Sequence, residues 1–149
     1  MQKAVSNLSV IAFYFLLRVG EYTSKARRKK KTKTRQFREM DVSFFVKEAN
    51  SLLRLLPRDA SAEELLAVDA ATLSISNQKN GIGGACVHHW AIEGEKVMCC
   101  VKALARRVIH IRRHSSNGRT LLSAYWDEVG RGDVTDNNIR FAMSTAPQR

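Results

Sequence analysis

The sequence predicts a mixed α+β domain, with helices around a small antiparallel sheet. Three observations carry that expectation. Residues 4–18 are almost uncharged and place Val5, Leu8, Ala12, Phe15 and Leu16 on one helical face. Residues 41–46, 52–56, 72–76 and 86–92 are short apolar or alternating stretches, separated by turn-forming residues. Residues 101–113 return to helical spacing, with Val101, Leu104, Ala105, Val108 and Ile111 as an apolar stripe.

Taken in order, the first helix closes on Arg18, and Gly20 reads as its stop or bend. A basic loop, residues 25–38, follows; Lys25, Arg27, Arg28, Lys29, Lys30, Lys31, Lys33, Arg35 and Arg38 meet no acidic residue until Glu39. Like charges at that density repel, which predicts a solvated loop. Two short strands follow, joined by residues 47–51, and Pro57 ends the second. Ser61-Ala62-Glu63-Glu64 has the form of a capping box opening one helical turn through Leu66. Residues 72–92 read as a hairpin around the turn-rich residues 77–84, with Lys79 near its tip. On the second helix Lys102, Arg106, Arg107, Arg112 and Arg113 cover the faces left by the apolar stripe. Residues 115–119 form a turn and residues 121–125 a short extended piece. Thr135 is the N-cap of a last helix, residues 136–144, with Ile139, Phe141, Ala142 and Met143 as its apolar content. There are no internal repeats.

The chain has 149 residues, enough for one domain with a modest core. Its 44% hydrophobic content argues against a disordered tail. Lys plus Arg is 25 against 14 Asp plus Glu, a net charge of +11. Such an excess points to an anionic partner: nucleic acid first, an anionic membrane surface second. Cys86, Cys99 and Cys100 are odd in number and partly adjacent, unlike a secreted disulfide framework, so a reducing compartment is expected. Ser6, Asn7 and Ser9 interrupt the N-terminal apolar stretch and no small-x-small site follows, which argues against a signal peptide. The stretch is too short to span a bilayer, and no membrane partner is expected.

Arg18 and Glu21, three apart, fall on one helical face, an arrangement that can fix a guanidinium for a planar anion such as phosphate. The plainer reading of the pair is a surface salt bridge. Lys79 likewise has a plain reading as a solvated turn lysine. The run of residues 25–38 suits sequence-independent phosphate contacts or a nuclear localisation signal. The basic residues on the second helix extend that surface or are simply solvated. Cys86, His88, His89, Cys99 and Cys100 lack the usual zinc spacing, and strand alternation turns His88 and His89 to opposite faces. Gly81-Ile82-Gly83-Gly84 lacks the Lys-Ser/Thr of a phosphate-binding loop. No metal and no cofactor are expected, and the Phe and Trp residues read as core.

This order of elements resembles the catalytic domain of the tyrosine recombinases, the phage-integrase family. Leu17, Arg18 and Glu21 match the family's Leu-Arg-x-x-Glu, and Lys79 in Ile75-Ser76-Asn77-Gln78-Lys79 sits where the catalytic hairpin lysine falls. Cys100-Val101-Lys102-Ala103-Leu104-Ala105-Arg106-Arg107 looks like the helix that follows. Residues 13–23, 56–60, 77–81 and 102–107 are closest to integrase-like proteins of crypton-type eukaryotic mobile elements. The resemblance covers about residues 8–146. It implies a three-stranded sheet, the first half of an integrase-type domain. It also implies site-specific DNA recombination and integration of a mobile element, without a metal. Arg18 would stabilise phosphoryl charge, Glu21 would orient Arg18, and Lys79 would protonate the leaving 5′-oxygen. Arg27, Arg28, Lys29, Lys30, Lys31, Lys33 and Arg35 would contact double-stranded DNA, in the nucleus, with self-association on DNA. The family's later His-x-x-Arg, its further His or Trp, and its nucleophilic tyrosine belong after the last helix read here. These residues alone are therefore expected not to cleave DNA. His110-Ile111-Arg112-Arg113 spells the motif one element too early, and Tyr125 lacks the flanking pattern. The family's preceding DNA-clamping helical domain is not seen, and Val101 stands where relatives often have proline. The contrasting expectation is a non-enzymatic basic nucleic-acid-binding module; a third is a decayed gene product with an exposed apolar face.

Overall fold

A computed structural model describes residues 1–24, 35–75 and 84–145. Helix α1, Gln2–Tyr14, buries Ala4, Val5, Leu8, Val10, Ile11 and Ala12. It stops four residues short of Arg18, earlier than the sequence suggested. Leu17 N–H donates to Ala12 O at 2.9 Å and Leu16 N–H to Phe13 O at 3.4 Å, closing the helix in a Schellman motif. Leu16 takes the left-handed position that glycine usually fills, at φ 52°. Its side chain is 88% exposed, so it leaves the apolar face to which its spacing assigned it. Gly20 does not end a helix; it lies inside a four-residue helix α2, Val19–Tyr22.

A single 3₁₀ turn, Glu39–Asp41, leads into β1, Val42–Lys47. Strands β2, Leu53–Leu55, β3, Ala70–Ile75, and β4, Ala85–Trp90, complete an antiparallel sheet in the order β2-β1-β3-β4. The sheet thus has four strands, not three: the two short strands and the two hairpin strands all join it. Alternation sends Val42, Phe44, Ala71, Leu73 and Ile75 into the core. Between β2 and β3, the Ser61 hydroxyl accepts from Glu64 N–H at the start of α3, Ala62–Ala67.

Helix α4, Cys100–Arg112, is the central element, with Val101, Leu104, Ala105, Val108 and Ile111 all at 0% exposure. It packs against α1, α3 and the sheet. The extended piece expected at residues 121–125 is instead one side of a separate hairpin, β5, Ala124–Asp127, paired with β6, Gly130–Asp133. Helix α5, Asp136–Ser144, starts at Thr135, whose hydroxyl accepts from Asn138 N–H. Of its apolar residues only Ile139 is fully buried; Phe141 and Met143 are exposed. Phe15, Phe37 and Phe44 are core, but Phe13 and Trp90 also face solvent, contrary to the expectation that the aromatic residues are core.

Candidate nucleic-acid interface

Arg18 caps α2 with its main chain. Its N–H donates to the Glu21 carboxylate at 2.9 Å, and its carbonyl accepts from Glu21 N–H at 2.8 Å. An acidic side chain three residues into a helix satisfies the first orphan amide and offsets the positive end of the helix. Glu21 is 4% exposed, so this bond sits in a protected setting. No ion pair joins the two side chains. The Arg18 guanidinium is exposed and has no hydrogen bond or ion pair among the described residues.

The end of α1 is held in turn by β4. The ring of His89 lies 4.6 Å from Phe15 and 6.0 Å from Tyr14, edge-on in both cases, and its Nε2 is 3.0 Å from Tyr14 O. His88 faces the other way and bonds Thr72 Oγ1 at 2.6 Å across the strands. His89, which holds the end of α1, has no sequence signal beyond alternation.

The basic run leaves just after α2, and its returning end bonds back to that helix. On the departing side, Ser24 N–H donates to Val134 O at 2.7 Å. On the returning side, the Gln36 side-chain amide donates to Thr23 O and Phe37 N–H donates to Glu21 O at 2.9 Å. Arg27, Arg28, Lys29, Lys30, Lys31 and Lys33 lie outside the described residues; Arg35 lies within them and is exposed. Lys79 also lies outside them. The last described rung before it, Ile75 with Ala85, stands at the sheet end where β1 begins.

The arginines of α4 do not form one solvated face. Lys102 donates to Leu66 O at 2.7 Å and Val68 O at 2.8 Å, closing the end of α3. Arg106 bonds Asn7 Oδ1 at 2.9 Å and Lys96 O at 2.6 Å. Arg112 pairs with buried Glu39 at 2.7 Å; it fills an x position of the His110-x-x-Arg113 pattern and acts as a structural clamp. Arg107 is 2% exposed, and its Nε and Nη2 donate to the carbonyls of Leu122 and Ala124. Burial lowers its pKa to about 10, which still leaves it charged at neutral pH. Arg113 is exposed.

The three tyrosines sit in different settings. Tyr22 is buried, and burial raises its phenol pKa. The Tyr14 ring is engaged by Phe13 and His89, and the Tyr125 ring lies against Gly132. Among the described residues no helix is long and apolar enough to cross a membrane. No protein-family model, no curated protein and no solved structure matches the chain.

Proposed function

We propose that these residues form a DNA-backbone-binding unit of the tyrosine recombinase type, with Arg18 as its phosphate-holding residue. One observation carries the reading. An exposed guanidinium, free of partners among the described residues, stands at the start of a short helix whose entry is held by a buried carboxylate, and the returning end of a dense basic run bonds back to that helix. An open guanidinium can donate two parallel bonds to phosphate oxygens. The run from Arg27 to Arg35 adds phosphate contacts that release counterions and carry no sequence information. In the same reading Lys79, on the hairpin between β3 and β4, protonates a leaving 5′-oxygen once a nucleophile is supplied. The partner is double-stranded DNA, in the nucleus, with self-association on DNA. Covalent strand cleavage is not assigned to these residues.

The test is anisotropy of a fluorescent duplex, titrated with the chain at several salt concentrations. Affinity should fall linearly on a log–log plot, by about 0.9 per phosphate neutralised. Arg18→Ala should weaken binding roughly tenfold, the loss of one charge-assisted pair. A suicide substrate should give no covalent band on a denaturing gel. Salt-independent binding would refute the reading. An Arg18→Ala chain that binds as tightly as the wild type would reduce the molecule to a basic module without a dedicated phosphate arginine.

A further inference from the structure

A cavity of about 620 Å³ opens between the start of α1, the second half of α4 and β5. Lys3, Arg106, Arg107, His110 and Arg113 line it, and among the described residues no carboxylate does. Arg107 is the telling member. Its charge is buried with only neutral carbonyls as partners, and its Nη1 takes no part in those bonds. A buried charge without a counter-charge is costly, and a bound anion would offset that cost. Several cations without an acid favour an anion of more than one charge. The ring of Trp126, also in the lining, is already engaged. His114 stacks on it at 4.7 Å, and the Arg131 guanidinium lies 5.8 Å from its centroid.

We propose that this cavity binds a phosphate group, with buried Arg107 innermost and Arg113 at its rim. The proposal is independent of Arg18, which lies beyond the far end of α1, about 20 Å along that helix. The phosphate belongs either to a nucleic-acid backbone or to a free phosphate compound. His110 serves as a built-in reporter. Its Nε2 accepts the Trp126 amide at 3.3 Å. Burial, then the charges of Arg107, His114 and Arg113, hold its pKa below the ordinary value. An anion beside it favours the imidazolium and raises that pKa.

The experiment follows the His110 ring resonances of the 149-residue chain by NMR, during titration with inorganic phosphate and, separately, with a short DNA duplex. Inorganic phosphate should shift them saturably at millimolar concentration. Arg113→Gln should weaken this roughly tenfold, while Arg119→Gln, on an exposed turn outside the cavity, should not. A duplex that moves the same resonances at lower concentration assigns the phosphate to nucleic acid. Movement by inorganic phosphate alone assigns it to a free phosphate compound. Ring resonances unmoved by both, or equal binding by Arg113→Gln and the wild type, would overturn the proposal.

Discussion

At Arg18 a carboxylate and a guanidinium three residues apart divide the work between main chain and side chain. The Glu21 carboxylate holds the Arg18 amide and leaves the guanidinium open. Glu21→Ala should remove that partner and cost about 1–2 kcal/mol, whereas Glu21→Gln, which keeps an acceptor oxygen, should retain most of it. Urea unfolding of the two variants checks this; equal losses would mean that charge, not the hydrogen bond, matters. The Arg-x-x-Glu pair was legible in the sequence, but its geometry was not. Spacing of three serves a side-chain ion pair and a helix-start cap equally well. Arg107 was legible and passed over. Leu104, Arg107, Val108 and Ile111 follow the i, i+3, i+4, i+7 spacing of a buried stripe. Charge alone assigned Arg107 to the solvent side.

Elements with strong periodicity or caps were readable. Helix α5, Asp136–Ser144, has the bounds that its Thr135 cap announced, and α4 follows its apolar stripe. The hairpin of β5 and β6 was not readable. Its turn residues Glu128 and Val129 are not a turn-forming pair, and Gly132 interrupts its second strand. That glycine has a packing reason: a Cβ there would stand 2.6 Å from Cζ and Oη of Tyr125. Gly132→Ala should push the ring aside and lower stability by about 1 kcal/mol, with a changed Tyr125 ring environment by NMR. Unchanged stability with the ring in place would show that the strands adjust instead. The end of α1 was hidden for the opposite reason. A Schellman motif is recognised by its glycine, and here a leucine holds the left-handed position.

Over the whole molecule, a net charge of +11 acts against the fold that carries it. The core around α4 outweighs that self-repulsion, but repulsion between exposed charges is screened by salt. Added sodium chloride should therefore raise the melting temperature of the free chain, measured by circular dichroism. A fall would mean that surface attractions dominate. The α+β class was readable because amphipathic helices and alternating strands each announce themselves. The joining of four strands into one sheet depends on long-range pairing, which local pattern does not encode. The stitching of Ser24 to Val134 and of Phe37 to Glu21 has one last consequence. Both bonds are made by residues outside 25–34, so altering the charge or length of that run should leave α2 and the backbone of Arg18 in place.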